Sequence, residues 1–451
     1  MKQKKILFAN FPADGHFGPL TGLAIHLKNL GHDVRWYTGS KFAEKIRGLG
    51  IPYYSFNKAI DFSAGEPDDV FPERKYQKGQ IAKLKFDIRH AFVLRGPEYY
   101  ADLREINESF PFDLMIADNC FTGISFVKQL LGKPVIAIGV IPMIETSKDL
   151  PPTGLGLTPS SGFLGRRVQD VLRLMTDKFV FGDSKKLVDK IYRNYGMITA
   201  KGNVFDVISK EADLLLQSGT PSFEYDRSDL RKNIHFIGPL LPYTKQTIRH
   251  YQLPDQYRNF KNRILVTQGT VETDVEKIIV PTLEAFKGTN VLVIATTGGS
   301  RTQDLRERYP HSNILIEDFI PFNDIMPLCN AYVTNGGYGG VLIGIQNRLP
   351  MVVAGVHEGK NEINARIGYF KLGINLKTEK PSPSQIKANV EIIFRNPVYR
   401  NNVARLAEEF EEYNPTWLCE KYLNDIFLKQ DRSTRATFFQ MIRKYAEEKV
   451  Y

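Results

Sequence analysis

The sequence predicts an α/β protein made of two Rossmann-like halves and a helical tail. Three observations carry this. Short apolar runs separated by helical segments open the chain and recur along its first half. Strands alternating with helices imply a parallel sheet covered on both faces. A second series of such runs starts near Arg263, and a Pro-rich, polar stretch over 238–262 separates the two.

Taken in order, Lys5 to Asn10 (KILFAN) reads as the first strand and Phe11 to Gly18 as a loop of Pro, Gly and Asp. Leu20, Leu23, Ala24, Leu27 and Leu30 recur at helical spacing, and Gly31 stops that helix. Asp33 to Thr38 resumes as a strand, and strand-like runs return at 113–118, 134–139 and 213–217. Residues 60–100 and 142–200 are rich in aromatics, Pro and Gly without strand periodicity. Insertions of this kind either wall a pocket or are plain loops and helices, and both readings stay open. In the second half, 263–270, 290–299, 313–321, 331–337 and 350–356 are strand-like, each ending in a polar or Gly-rich turn. Val403, Leu406, Ala407 and Phe410 form one helical stripe, Asn414–Pro415 breaks it, and Trp417 to Leu428 forms another run. The expected division is 1–240, a linker over 241–262, a second domain over 263–412, and a tail over 413–451 that packs back on the first. Loops following the strands of the two halves would line a cleft between them.

Composition narrows the function. With 42% hydrophobic and 24% charged residues in 451, the chain is neither disordered, collagen-like nor coiled-coil. No apolar stretch approaches the roughly 18–20 residues of a membrane helix, and the N-terminal apolar run is too short for a signal peptide. Cys120, Cys329 and Cys419 are far apart and form no CxxC, so neither a disulfide framework nor a zinc site is expected, and a reducing cytoplasm is the default. Sixty Lys+Arg against 50 Asp+Glu give a net charge of +10. Such a balance fits nucleic acid, an anionic membrane surface or an acidic small substrate. The basic residues are scattered with no recurring aromatic–basic motif, so nucleic acid is not expected as a partner and most of the charge reads as solubilising surface. GxGxxG after the first strand, GxxxxGK[ST], GxSxG and HExxH are all missing, which removes the common dehydrogenase, P-loop and hydrolase readings.

Two loops with chemistry remain. Residues 12–19 (PADGHFGP) follow the first strand, where open α/β sheets place ligand-facing residues. His16 there, flanked by glycines, is a general-base candidate for a hydroxyl, or a loop histidine bonded to its own backbone. Residues 334–340 (TNGGYGG) end a strand and open an apolar helix. Four glycines in five residues exceed what a turn needs and leave backbone N–H groups open to a phosphate.

These stretches resemble the family 1 nucleotide-sugar glycosyltransferases of GT-B fold, especially the bacterial branch that glycosylates small molecules. The resemblance spans nearly the whole chain. It rests on PADGHFGPL, FDLMIAD, NIHFIGPLLP, VTQGT and the long block over 317–376. It implies two Rossmann-like domains facing a cleft, with C-terminal helices crossing back to the first. It also implies that His16 is the catalytic base and Asp118 the carboxylate that holds it, although a strand-end Asp is otherwise often a helix cap. Phe319 and Ile320, with Pro321, match the segment that stacks on the donor's pyrimidine and reads its edge. Thr270 matches a hydroxyl near the phosphates, and Gly336, Gly337, Tyr338 and Gly339 match the diphosphate-cradling turn.

Departures from the family pattern are informative. Asn335 stands where a His is usual, Gly340 where Thr or Ser is usual, and Ile343 where a Glu grips the ribose hydroxyls. A hydroxyl buried against an apolar side chain costs about 1–3 kcal/mol, so a deoxyribose suffers less. The expectation is a dTDP-sugar, with a 6-deoxyhexose such as rhamnose favoured and UDP-glucose possible. The Asp-Gln pair that usually binds the hexose is replaced by other residues, leaving His357, Glu358, Lys360 and Asn361 as sugar contacts or exposed turn residues. With no DxD-type motif, no metal and no cofactor beyond the donor co-substrate is expected, and transfer should invert the anomeric centre. An aromatic or apolar acceptor, such as a flavonoid, would bind within 60–100 and 142–180. The expected enzyme is cytoplasmic, a monomer or homodimer, without stable membrane insertion. Alternatives are a lipid glycosyltransferase at the membrane surface, a nucleotide-sugar epimerase and a non-catalytic nucleotide-sugar binder.

Overall fold

A strand covered on both faces must be apolar at successive positions, and the central strands here are. The computed structural model describes residues 3–65, 67–244, 250–269 and 272–430. β1 (Lys5–Ala9), β2 (Asp33–Thr38), β3 (Tyr53–Ser55), β4 (Leu114–Asp118), β5 (Val135–Gly139), β6 (Leu214–Ser218) and β7 (Ile234–Gly238) form a parallel seven-stranded sheet in the order β3-β2-β1-β4-β5-β6-β7. Ile6, Phe8, Leu114 and Ile116 enter one core, and Leu7, Ala9, Met115 and Ala117 enter the core on the opposite face.

β8 (Asn262–Thr267), β9 (Val291–Thr296), β10 (Ile314–Glu317), β11 (Ala331–Thr334), β12 (Met351–Val353) and β13 (Gly373–Asn375) form a second parallel sheet, ordered β10-β9-β8-β11-β12-β13. Its faces alternate in the same way, Leu265 and Tyr332 against Ile264 and Val333. In each sheet the strand order reverses at one place, between β1 and β4 and between β8 and β11. The crevice at such a reversal, beyond the strand ends, is where open α/β sheets bind ligands.

The structure differs from the sequence reading at several places. The first helix, Asp14–Asn29, starts inside the expected loop, which puts His16 in its first turn. Leu30, expected on the buried stripe, caps that helix and is exposed. β3, β7 and β13 were not expected as strands. They are short or half-buried, so their burial patterns lack a clean apolar run. Much of 60–100 and 142–200 is helical, including Arg95–Ser109, Phe163–Phe179 and Gly182–Asn194. The stretch expected as a polar linker is only partly one. Leu253 and Tyr257 are buried in the second-domain core, and β8 already begins at Asn262. Residues 245–249 and 431–451, within that linker and the tail, lie outside the described residues.

After the helix Pro397–Glu411 the chain returns to the first sheet. The helix over 415–430 buries Cys419, Leu423, Ile426 and Phe427 beside Ile6, Phe8, Leu20 and Leu27. The ring of Tyr422 stacks on His235 at 4.4 Å, and Glu420 meets His26 at 2.9 Å. Among the described residues no helix is long and apolar enough to cross a membrane. Because Leu423 is fully buried, Leu423→Ala should destabilise the first domain by about 2–5 kcal/mol. Urea unfolding followed by tryptophan fluorescence checks this, since Trp36 lies in the same core.

Candidate active site

β1 and β4 run side by side with Ala9 opposite Ala117, so the residues just beyond their ends share the crevice. Asp118 ends β4 and is fully buried. Its Oδ2 accepts the Phe11 N–H at 2.6 Å, and its Oδ1 accepts the Cys120 N–H at 2.9 Å. The same Oδ1 lies 2.8 Å from His16 Nδ1. A carboxylate only accepts, so Nδ1 carries the proton and Nε2 is left as an acceptor. His16 can reach Asp118 because its helix starts at once after the loop, with the His16 N–H on the Ala13 carbonyl at 3.0 Å. Ala13 supplies no side-chain cap. Asp14 in the first turn complements the helix dipole and is held by Lys41 at 2.6 Å. Its carboxyl sits below the usual range: burial opposes this, and Lys41 and Lys45 outweigh it.

Aromatic rings enclose the base. Phe11 packs 5.1 Å from the His16 ring, stacks on Phe92 at 4.5 Å and meets Phe62 edge-on at 5.3 Å. Phe62 and Phe92 both come from the 60–100 insertion. Among the described residues, His16, Asp118 and Cys120 place potential metal ligands within 4.8 Å of one another. They suit a held imidazole better than a cation. Asp118 is already engaged by two N–H groups and the imidazole, and burial together with Asp118 pushes the Cys120 thiol well above its ordinary value.

The second crevice is built from backbone. Gly336 adopts φ +85°, and a Cβ there would meet Asn364 Oδ1 at 1.8 Å, so only glycine fits. Asn364 is fully buried and ties the turn down, donating to the Gly355 carbonyl at 2.9 Å and the Asn335 carbonyl at 3.2 Å. The helix Tyr338–Gln346 starts immediately afterwards, with Gly337 as its N-cap. Its first N–H groups, on Tyr338, Gly339 and Gly340, have no acceptor among the described residues. A Cβ on Gly339 would meet nothing within 4 Å, so this end of the helix is open to an anion.

Residues 282–421 match the family model described as Erythromycin biosynthesis protein CIII-like, C-terminal domain. The chain is 33% identical over 406 residues to 4'-demethylrebeccamycin synthase of Lentzea aerocolonigenes, covering 90% of this chain and 95% of that one. It belongs to the family 1 nucleotide-sugar glycosyltransferases. UDP-glycosyltransferase 2 of Phaeomoniella chlamydospora is 28% identical over 424 residues, covering 90% of this chain and 92% of its own. The GT-B fold is shared with CalG4, the calicheamicin glycosyltransferase, at TM-score 0.71 and 21% identity over 94% of this chain and 99% of that one.

In this glycosyltransferase the residues named from sequence have several different fates. His16 and Asp118 meet in one crevice. Phe319 is 72% exposed beyond β10, with its ring free to stack. Ile320 is buried in the second core, while its N–H and C=O have no partner among the described residues. Gly336, Gly337, Gly339 and Gly340 form the open turn. Thr270 lies outside the described residues.

Three of these residues make side-chain contacts of their own. Asn335 donates one amide N–H to the Gln268 carbonyl and accepts the Gly337 N–H at 3.3 Å, so it shapes the turn. Tyr338 turns its side chain away from the turn and donates its hydroxyl to the Ser218 carbonyl of the first domain at 2.8 Å. Asn361 donates to the Gly154 carbonyl at 2.7 Å, so its amide bridges the domains. Glu358 and Lys360 pair with each other near that segment, Glu358 in the left-handed conformation at φ +55°. His357 is bound through its N–H to Glu379 at 2.9 Å.

Sequence reasoning missed the residues that join the two domains. Arg366 and Glu224, both almost fully buried, pair at 2.9 Å. Glu224 also accepts the Met143 N–H at 3.1 Å. Glu362 accepts the Gly154 and Gly156 N–H groups, both at 2.8 Å, and meets Arg366 at 3.3 Å. Burial works against the charge on Arg366, and Glu224 outweighs it, so the guanidinium is held above its ordinary value. The only sequence signal was the series of turn glycines over 154–156. The turn itself can be tested by paired substitutions. Gly336→Ala should lose at least about 1 kcal/mol of stability, while Gly339→Ala should be neutral or gain up to about 1 kcal/mol. Chemical denaturation of the two variants separates these outcomes.

Proposed function

We propose that this glycosyltransferase moves a hexose, with inversion, from a nucleoside-diphosphate sugar to a hydroxyl of a small aromatic or apolar acceptor. The observation that carries this is the 2.8 Å contact between His16 Nδ1 and the buried Asp118. It leaves Nε2 as an acceptor for the proton of a hydroxyl. As that proton moves to Nε2, the acceptor oxygen forms its bond to the anomeric carbon. The bond from that carbon to the diphosphate oxygen breaks on the opposite face, and the nucleoside diphosphate departs. Asp118 stabilises the imidazolium that results. Charge gathering on the diphosphate is met by the open N–H groups of Tyr338, Gly339 and Gly340 and by their helix dipole. Thr270 is assigned to the same role by family resemblance.

The rings of Phe11, Phe62 and Phe92 beside His16 support an aromatic acceptor such as a flavonoid. For the donor we favour a dTDP-6-deoxyhexose such as dTDP-rhamnose. Ile343 lies on the phosphate-site helix, packed against the second core, and offers a ribose diol no polar partner. UDP-glucose is the second reading, and the Phaeomoniella relative, a UDP-glycosyltransferase, supports a UDP donor. The reaction as written needs no metal or cofactor, and the three free cysteines fit a cytoplasmic enzyme.

His16→Ala should lower turnover by about 100-fold or more while nucleoside-diphosphate affinity is retained; unchanged turnover would remove His16 from the mechanism. Calorimetry should find dTDP bound more tightly than UDP, and equal or tighter UDP binding would sink the donor assignment.

A further inference from the structure

The helix Phe163–Phe179 is turned inside out. Its polar side faces the protein. Gln169 and Thr176 are buried, Gln169 donates to the Thr158 carbonyl at 3.2 Å, and Arg173 binds the Leu150 carbonyl. Its apolar side faces outward, with Phe163, Leu164, Val168, Val171, Leu174 and Phe179 between 52% and 76% exposed. At about 100° per residue these six occupy an arc of roughly 160° on a helix about 25 Å long. Scattered apolar residues on a surface are ordinary, but a contiguous arc of this size marks a site that something covers.

Charge selects the occupant. Arg167 and Lys178 fall within the same arc and are exposed, while the helix's acids, Asp170 and Asp177, fall outside it, Asp170 reaching Arg167 in a long contact of 3.6 Å. Two copies meeting on this stripe would bring Lys178 into an apolar interface with no carboxylate on the arc to pair it, and would strip water from the exposed Arg167–Asp170 contact. Each copy also carries a net charge of +10. A bilayer accommodates the same pattern, with apolar side chains in the acyl boundary and long basic stems reaching anionic headgroups.

We propose that this helix docks on the surface of an anionic lipid bilayer through its outward apolar arc, with Arg167 and Lys178 at the headgroups. The contact is peripheral and does not rest on the catalytic reading. It would place the acceptor insertion over a phase in which apolar acceptors concentrate.

Co-sedimentation of the full chain with phosphatidylcholine vesicles, with and without about 30% phosphatidylglycerol, tests this. The protein should pellet with the anionic vesicles, at least about tenfold less with the neutral ones, and be released by high salt. Leu164→Asp/Leu174→Asp should abolish pelleting, and Arg167→Glu/Lys178→Glu should weaken it at least about tenfold. Far-UV dichroism and nucleoside-diphosphate affinity should stay unchanged in both variants, because the altered side chains are exposed. Wild-type protein remaining in the supernatant, or variants pelleting as wild type does, would overturn the proposal. So would a dimer seen by light scattering that Leu164→Asp/Leu174→Asp dissolves while no vesicles are bound; that outcome assigns the arc to a second copy.

Discussion

The cleft depends on one buried ion pair. Arg366 and Glu224 lie on different domains, 142 residues apart and almost without solvent contact, yet 2.9 Å from each other. Such a pair gains little net stability over apolar residues of the same size, because desolvating two charges offsets their attraction. What it supplies is registration. If the domains shifted, Arg366 would keep only Glu362 and Glu224 only the Met143 N–H, and breaking a buried pair in this way costs up to about 3–5 kcal/mol. Around this pair, the face of the Tyr225 ring lies 4.4 Å from the guanidinium, and Glu362 carries the connection on to the glycine turn of the first domain. The crevice with His16 and the crevice with the glycine turn therefore face each other in a fixed arrangement.

That registration explains the fates of Tyr338 and Asn361. Both sit in segments next to the expected donor, and both direct their side chains across the domain boundary, to Ser218 and Gly154. The glycine turn with its open N–H groups and the interdomain contacts thus come from the same segments. The helix that offers its N–H groups to an anion is anchored by its first side chain to the opposite domain. Phe223 from the first domain completes the link by entering the second-domain core.

Much of this could be read from the chain. Runs such as KILFA, LMIAD and VLVIAT declare buried parallel strands because all but one end position is apolar. His16 was legible because the loop after a strand in an α/β sheet is a chemical position, and Asp118 was legible only through the family resemblance. What escaped were features with no local pattern. β3 and β13 are only three residues long, and the first helix starts without a capping side chain. Tyr257 looked like part of a polar linker because its burial is decided by residues that are distant in sequence, among them Ile314, whose carbonyl accepts its hydroxyl at 3.2 Å. Arg366 and Glu224 are ordinary helix and loop charges until the fold brings them together. Side-chain direction was the least legible of all: TNGGYGG announces a glycine turn but not that its tyrosine reaches Ser218 of the other domain.

The returning helix over 415–430 has a consequence for how the chain is made. Cys419, Leu423, Ile426 and Phe427 fill a core whose other members begin at Ile6. During synthesis the N-terminal sheet is complete at β7, yet one apolar side waits for residues made almost two hundred positions later. Contacts of such long sequence separation slow folding and leave hydrophobic surface open in the interval. The nascent first domain therefore emerges from the ribosome unfinished, and its core closes only once Cys419 to Phe427 have been made.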